Sequence, residues 1–213
     1  LPSVLTPRVA GWGGEPLESL IESSLIGLTR STREQGEDKK YPYVKMNHIT
    51  RDNRFEFTDY VKVDATIADA ARFLLKDGDC LINTRNSHEL IGKSCIYTTA
   101  LEVAVLYNNN LMRIRFKSGI DARFVLFAFS CRTVAEELEG LKSGTTNVSA
   151  IYFKDLRNLR IPLPPTAKQE RISDELIALS GETQRLESLY QRKLVALDAL
   201  KQSLLHQAFS GQL

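Results

Sequence analysis

The chain has 213 residues, of which 43% are hydrophobic and 25% are charged, with 12 Gly and 7 Pro. This composition is close to that of ordinary globular proteins, and it excludes a wholly disordered, collagen-like or disulfide-framework chain. The 28 Lys and Arg residues nearly balance the 26 Asp and Glu residues, so the net charge of +2 does not by itself indicate a polyanionic partner.

Cysteine spacing and the N-terminal composition indicate the cellular compartment. Cys80, Cys95 and Cys131 lie far apart and form no C-x-x-C pair, which is typical of buried thiols in a reducing compartment. No apolar run reaches the roughly 18 residues of a membrane helix, and Arg8 and Glu15 interrupt the region where a signal peptide would be apolar. We therefore expect a cytoplasmic protein without a membrane partner.

Residues 1–165 combine short strand patterns with helical ones. Strands are predicted over 43–47, 80–83, 101–107 and 111–116, and a helix over 121–138. In the strand over 111–116, Arg113 and Arg115 alternate with apolar residues, which predicts a half-exposed strand. Because strands and helices do not alternate regularly, we expect an α+β fold and not a doubly wound sheet.

A proline-rich segment, Ile161-Pro162-Leu163-Pro164-Pro165, follows this region. Three prolines in four positions exclude a helix interior, and Thr166 is well placed to cap a helix that follows. We therefore divide the chain into a globular domain, residues 1–165, and a helical segment, residues 166–213.

The helical segment carries a narrow apolar seam with the alternating three- and four-residue spacing of a coiled coil. The seam residues are Leu176, Leu179, Leu186, Tyr190, Leu197, Leu200 and Leu204. Thr183 and Lys193 occupy the two seam positions that lack an apolar residue. Basic and acidic residues are balanced on the other faces, so we expect the helix to pair with another helix and not to bind nucleic acid. A helix folded back on its own domain is the alternative.

The sequence contains no pattern that predicts an active site. His48, His88 and His206 lie far apart without Cys or carboxylate residues at ligand spacing, which speaks against a metal centre or a histidine-based triad. The glycine-rich segments 11–14 and 140–146 lack the features of nucleotide-binding loops. We therefore expect no catalytic residue, metal or cofactor in this chain.

Several polar segments of the globular domain share the residue types that contact DNA. They are 30–33, 39–47, 84–88, 108–110 and 142–147. Arg and Lys bind phosphates and guanine, whereas Asn matches the donor and acceptor of adenine. Polar loops are usually just solvated surface, so no single segment is strong evidence of DNA binding. Their combination with a helix that pairs outside its own domain is more informative.

Motifs spread over nearly the whole chain match one known pattern. The most specific are Ile161–Pro165 with Gln169–Ile172, and Ala208–Gly211 at the end of the helix. Weaker matches are Trp12 with Leu17 and the turn containing Gly27, Tyr41–Ile49, Leu75–Ser87, Ile91–Lys93 and Ser143–Ser149. In these segments the chain resembles one half of the DNA sequence-specificity (S) subunit of a type I restriction-modification enzyme, with one target-recognition domain and one conserved spacer helix.

The resemblance implies a non-catalytic protein that reads one half of a split target in the major groove of double-stranded DNA. It also implies that the helix pairs antiparallel with a second such helix and docks methyltransferase subunits and, through them, restriction subunits. Those partner subunits would hold S-adenosylmethionine, ATP and Mg²⁺. A usual S subunit has two recognition domains and two helices, so this chain is either a fragment or a half subunit that forms a two-fold homodimer.

The matching segments give a set of residues expected to face DNA. They are Arg30, Arg33, Lys40, Tyr41, Arg85, Asn86, Ser87, Lys93, Thr145, Thr146 and Asn147. The seam residues would carry helix pairing. Because the globular domain is nearly neutral, we expect weak DNA binding by this chain alone. The alternative is a coiled-coil adaptor whose globular domain binds protein, while missing motifs disfavour a stand-alone nuclease or methyltransferase.

Overall fold

The structure is a computed structural model that describes residues 12–98, 101–145 and 148–211. It divides into two compact units, Leu1–Glu170 and Arg171–Leu213. The first unit combines short strands with short helices, and the second belongs to one long helix. The expected α+β class is therefore confirmed.

The central sheet of the first unit is antiparallel, with the strand order β2-β10-β6-β8. Its strands are β2 (Ile21–Ile26), β6 (Cys80–Asn83), β8 (Ser94–Ile96) and β10 (Leu111–Phe116). The predicted strands over 80–83 and 111–116 are confirmed. Strand β10 lies between β2 and β6, so it is an interior strand of the sheet.

The prediction that β10 is half-exposed through its arginines is wrong. Arg113 is only 6% exposed, and its Nη1 donates a hydrogen bond to the Leu74 carbonyl at 2.8 Å. Arg115 is half-buried, and its Nε donates to the Asp79 carboxylate at 2.6 Å. A segment distant in sequence, 74–79, therefore provides partners for this face of the strand, which local alternation cannot reveal.

A second sheet has the order β3-β5-β4-β9. Its strands are β3 (Gln35–Gly36), β4 (Tyr41–Val44), β5 (Val61–Val63) and β9 (Leu106–Tyr107). The strand predicted over 43–47 ends early because a 3₁₀ turn forms at Met46–His48. Of the strand predicted over 101–107, only Leu106–Tyr107 joins a ladder, parallel to β4. Both predictions therefore fail at their boundaries.

Two small sheets complete the strands of the first unit. One, which we call the hairpin sheet, has the order β11-β12-β7, with β11 (Ser143–Gly144), β12 (Ser149–Ala150) and β7 (Arg85–Asn86). The other pairs β1 (Gly14–Pro16) with β13 (Arg160–Pro162), so the proline-rich segment begins at the end of a strand.

The helices of the first unit are short. They are α1 (Leu17–Leu20), α2 (Ile67–Phe73), α3 (Ala122–Phe129), α4 (Arg132–Gly140) and α5 (Phe153–Leu156). The single helix predicted over 121–138 is in fact two, because Cys131 adopts an extended conformation with ψ of 135°. Phe124 and Ala128 of α3 are fully buried, as their helical spacing predicts.

The long helix α6 runs from Thr166 to Phe209 over 44 residues, which corresponds to a length of about 66 Å. Thr166 does not cap it, contrary to expectation: it is itself the first helical residue, and its hydroxyl donates to the Gly119 carbonyl at 2.8 Å. The first helical amides instead use the carbonyl before the helix, since Lys168 and Gln169 donate to Pro165 at 2.8 and 3.1 Å.

The hydrophobic core includes side chains from both four-stranded sheets. Tyr43 and Val44 of β4 pack in one cluster with Leu81, Leu106 and Leu111. The three cysteines are buried free thiols, as predicted, and burial raises the pKa of the Cys80 thiol to about 12. Buried thiols of this kind act as small apolar side chains.

Candidate nucleic-acid interface

The hairpin sheet joins two polar segments that are distant in sequence. Strand β12 pairs on one side with β11 and on the other with β7. The ladder sets Ser149 opposite Asn86 and Ala150 opposite Arg85. The candidates Arg85 and Asn86 therefore lie beside the hairpin that carries Thr145.

A glycine fixes the shape of this hairpin. Gly144 has a φ of +127°, and a Cβ at this position would overlap the carbonyl oxygen of Val148. The Thr145 amide donates to the Val148 carbonyl at 2.9 Å, and the Ser149 hydroxyl donates to the Thr145 carbonyl at 2.7 Å. Thr145 itself is exposed. The candidates Thr146 and Asn147 lie outside the described residues.

A cluster of one methionine and two asparagines lies next to the hairpin sheet. The Asn86 side-chain amide donates to the Met46 sulfur at 3.1 Å, and the Asn110 amide donates to the same sulfur at 3.7 Å. The Ser87 amide donates to Asn86 Oδ1 at 2.8 Å. A thioether is a weak acceptor, so these contacts orient the two amide groups while leaving them able to exchange partners. We call Met46, Asn86 and Asn110 the amide cluster.

Backbone hydrogen bonds connect the amide cluster to the sheets. The amide and hydroxyl of Thr84 both donate to the Asn110 carbonyl, at 2.8 and 3.1 Å. On its other side, the Thr84 carbonyl accepts from the Ile151 amide at 3.0 Å. The loop between β9 and β10, the start of β7 and the end of β12 are therefore held as one surface.

Two lysines near this surface hold turns through backbone contacts. Lys93 Nζ donates to the Ile49 carbonyl at 3.1 Å, and burial lowers the pKa of its ammonium. Lys142 Nζ donates to the His88 carbonyl at 3.0 Å and lies 2.7 Å from the Glu139 carboxylate. Both ammonium groups thus already have protein partners.

Arg30 is held against the second sheet. Its Nε donates to the Asp64 carbonyl at 3.0 Å, and its guanidinium lies 3.7 Å from the Asp69 carboxylate and 3.9 Å from that of Glu34. A phosphate at this position would have to compete with two carboxylates. The geometry of Arg30 therefore suits a structural role of joining the loop after β2 to β5 and α2.

The remaining candidates, Arg33, Lys40 and Tyr41, also belong to the second sheet and its loops. Arg33 is exposed in a 3₁₀ turn at Thr32–Glu34. The Lys40 ammonium lies 5.0 Å from the centre of the Tyr41 ring, in cation–π geometry. The structure thus divides the described candidates into two groups: Arg85, Asn86, Ser87, Lys93 and Thr145 around the hairpin sheet, and Arg30, Arg33, Lys40 and Tyr41 around the second sheet.

Sequence reasoning did not select two members of the amide cluster as site residues. Asn110 lies in the polar segment 108–110, so a signal for it was present. Met46 lies in the polar segment 39–47, but a thioether is not a side chain expected to contact DNA, and its role depends on the approach of two asparagines from other loops. No group of three His, Cys, Asp or Glu side chains among the described residues could hold a metal ion.

The predicted seam of α6 is largely exposed in the single chain. Leu176 is half-buried, whereas Leu197, Tyr190 and Leu200 are 62%, 61% and 55% exposed. Leu179, Leu186 and Leu204 are exposed as well. Towards the end of the helix, four leucines and Ala208 line a shallow apolar groove. Within the described part of the chain, no helix is apolar enough over sufficient length to cross a bilayer.

Comparison with known proteins identifies the family. The family model described as "Type I restriction modification DNA specificity domain" matches residues 12–193. A putative type I restriction enzyme MjaX specificity subunit from Methanocaldococcus jannaschii is 28% identical over 203 residues, which cover 93% of this chain and 45% of that protein.

Solved structures share the fold of this chain. A chain from a structure of a type I restriction-modification system has a TM-score of 0.73 at 22% identity, and the HsdS subunit from Thermoanaerobacter tengcongensis has a TM-score of 0.64 at 21% identity. Both matches cover 100% of this chain and 48% of the other. This chain thus spans about half the length of the relatives it matches. It belongs to the type I restriction-modification DNA specificity domain family.

Proposed function

We propose that this chain provides one half of a type I restriction-modification specificity subunit, and that its globular domain reads one half of a bipartite DNA target. The observation that carries this proposal is the joining of three polar loops at the hairpin sheet. Arg85, Thr145 and the amide cluster lie on loops joined by hydrogen bonds and ladder pairing. Arg, Asn and Thr are side chains that read base edges in the major groove.

The amide cluster supports base reading through its weak internal contacts. Asn86 keeps Oδ1 on the Ser87 amide, while its Nδ2 points at a thioether. Exchanging a bond to sulfur for a bond to a base acceptor costs little, because sulfur is the weaker acceptor. Arg85 is exposed on β7 and can approach a guanine with both nitrogens of its guanidinium fork.

The long helix carries the assembly role in this proposal. Its exposed seam pairs with a second such helix, supplied by a second copy of this chain in a homodimer, and the paired helices dock methyltransferase subunits and through them restriction subunits. S-adenosylmethionine, ATP and Mg²⁺ belong to those partner subunits, and this chain is non-catalytic.

The paired helices also determine which DNA targets are accepted, because a fixed helix length sets the separation of the two half-sites.

Selection of duplexes from a random library tests the reading role. The chain is incubated with the library, with and without the methyltransferase subunit, and bound duplexes are sequenced. We expect one enriched half-site, with binding that weakens steeply as salt rises because phosphate contacts release counterions. Absence of enrichment in both arms, together with salt-independent retention of a protein ligand, would favour the adaptor alternative.

Two arginine variants sharpen this test. Arg85→Ala should relax selection at one base and weaken specific binding about tenfold or more, as expected for a bidentate contact to guanine. Arg132→Ala is the control, because Arg132 is also exposed to solvent, on α4, where it pairs with Glu136 at 2.9 Å. Equal loss in both variants would indicate non-specific attraction and would contradict reading by Arg85.

A further inference from the structure

The sulfur-containing side chains of this protein differ sharply in their access to solvent. They are Met46, Met112, Cys80, Cys95 and Cys131. Met112 is 1% exposed on the interior strand β10, and the three cysteines are at most 3% exposed. Met46 is half-buried, and its sulfur belongs to the amide cluster. A water-soluble oxidant therefore reaches the Met46 sulfur before it reaches the others.

The two ends of Met46 have different surroundings. Its side chain packs against the core cluster that contains Tyr43 and Val44. Its sulfur accepts hydrogen bonds from the side-chain amides of Asn86 and Asn110, at 3.1 and 3.7 Å, and both asparagines are half-buried. The methionine is thus anchored against the core, while its sulfur lies among the amides of the surface proposed to read DNA.

Oxidation changes the acceptor that these two amides share. A thioether sulfur is a weak acceptor, whereas a sulfoxide is polar and its oxygen carries partial negative charge. Because hydrogen-bond donors approach sulfur along its lone pairs, an oxygen added to a lone pair lies among the donors. One sulfoxide oxygen can accept from both Asn86 and Asn110. The amides would then have a strong acceptor within the protein and would exchange it for a base much less readily.

We infer that Met46 is a modification site for hydrogen peroxide, and that its sulfoxide holds the Asn86 and Asn110 amides away from DNA. The Met46 sulfur attacks one peroxide oxygen, so a sulfur–oxygen bond forms as the oxygen–oxygen bond breaks. The leaving hydroxide takes the proton of the newly bound oxygen, which gives water and the sulfoxide. The sulfur is oxidised and the peroxide is reduced. The effect on DNA rests on the proposed function, whereas the oxidation and the change in hydrogen bonding do not.

Peptide mapping of the full chain tests the modification site without DNA. The chain is treated with dilute hydrogen peroxide, quenched with catalase and digested with trypsin, which cleaves after Lys45 and Arg51 and so separates Met46 from Met112. Mass spectrometry gives the rate at which each methionine gains one oxygen atom. We expect Met46 to be oxidised about tenfold faster than Met112, or more, because it is the more accessible. Equal rates would overturn the site.

Nuclear magnetic resonance of the side-chain amides tests the change in hydrogen bonding. On oxidation, the amide protons of Asn86 and Asn110 should move to higher chemical shift, because a stronger acceptor deshields them. Asn158 is the reference, since its amide donates to the Lys154 carbonyl at 3.0 Å and should not respond. Unchanged signals from Asn86 and Asn110 in a chain with oxidised Met46 would overturn the hold on the amides.

Binding of the selected duplex tests the consequence for DNA. Each protein is compared with itself before and after peroxide. The parent and Met112→Leu should lose affinity about tenfold or more. They should regain it with the two methionine sulfoxide reductases that act on the two sulfoxide epimers. Met46→Leu should change little on treatment, because leucine has a similar volume but cannot be oxidised in this way.

The outcomes separate the inference from the proposal beneath it. An equal loss in Met46→Leu and the parent, or a loss that the reductases do not reverse, would overturn the role of Met46. Unfolding of the oxidised chain, seen by circular dichroism, would overturn a local effect on the two amides. If the untreated chain selects no duplex, the proposed function fails, while the oxidation rates and the amide signals still decide whether Met46 is the modification site.

Discussion

Arg115 and Asp79 form a bidentate ion pair inside the first unit. Arg115 Nε and Nη2 donate to the two carboxylate oxygens of Asp79 at 2.6 and 2.9 Å. Asp79 is 3% exposed and also accepts from the Lys76 amide at 2.8 Å. The pair connects the interior strand β10 to the turn before β6. Asp79 belongs to one of the segments that carry the family resemblance, and its contacts are those of a structural residue.

Removal of Asp79 should therefore destabilise the fold and spare DNA selectivity. Asp79→Ala leaves a half-buried guanidinium unpaired, and we expect the free energy of unfolding to fall by about 3–5 kcal/mol. Urea unfolding of the variant measures this loss. A folded Asp79→Ala protein should select the same duplexes as the parent. The double variant Asp79→Leu, Arg115→Met should regain part of the stability, and a double variant as unstable as the single one would contradict this account.

Gly144 offers a test of the hairpin itself. Gly144→Ala would force a side chain into left-handed backbone and against the Val148 carbonyl. Because the hairpin lies at the surface, we expect unfolding free energy to change by only about 1 kcal/mol, while specific DNA binding falls at least tenfold. Gly140→Ala is the control, since nothing lies near its added Cβ. Undiminished selectivity in Gly144→Ala would show that the hairpin does not read DNA.

His48 predicts a pH dependence of stability. Its Nδ1 accepts from the Lys45 amide at 2.9 Å, and its Nε2 donates towards the Asp59 carbonyl at 3.3 Å. Burial lowers the pKa of His48 below its ordinary value of 6.5. The folded state thus holds a neutral ring, and protonation would remove the acceptor used by Lys45.

The direction in which stability changes with pH follows from this difference in proton binding between the folded and unfolded states. Well above pH 6.5 the ring is neutral in both states, and as the pH falls through 6.5 the unfolded state gains its proton before the folded state does. We expect stability to fall as the pH is lowered from 7.5 to 5.5, by no more than about 1.4 kcal/mol per pH unit for a difference of one proton. His48→Gln cannot titrate and should be less stable at pH 7.5 but lose less on acidification. His206→Gln, a substitution at an exposed position of α6, should leave the free energy of unfolding at pH 7.5 close to that of the parent.

The seam of α6 predicts a pairing defect without unfolding. Replacing Leu197 and Leu200 with Lys should leave the globular domain folded but shift sedimentation towards the monomer, because charges are then placed in the apolar seam. Val195→Lys is the matched control, since Val195 is as exposed as Leu197, at 62%, but lies outside the seam. A dimer unchanged by the double substitution would refute the seam assignment.

Local patterns predicted the elements whose contacts are local or repetitive. The long helix followed from a heptad pattern and its proline-rich start, and the structure places it at Thr166–Phe209. The strands Cys80–Asn83 and Leu111–Phe116 also appear as predicted. Short apolar or alternating runs indicate where a strand forms, but they did not reveal that both faces of these two strands are largely buried.

The candidate site depended on long-range pairing that no local pattern contains. The sequence by itself determined the family, the helix and the kinds of side chain available for DNA, because these depend on composition, spacing and motif. Tertiary structure decided that Asn86, Asn110 and Met46 meet, that β7 adds to the β11–β12 hairpin, and that Arg113 turns inward. Each of these contacts joins segments separated by dozens of residues, so its formation depends on how the whole domain packs and not on the residues beside it in the chain.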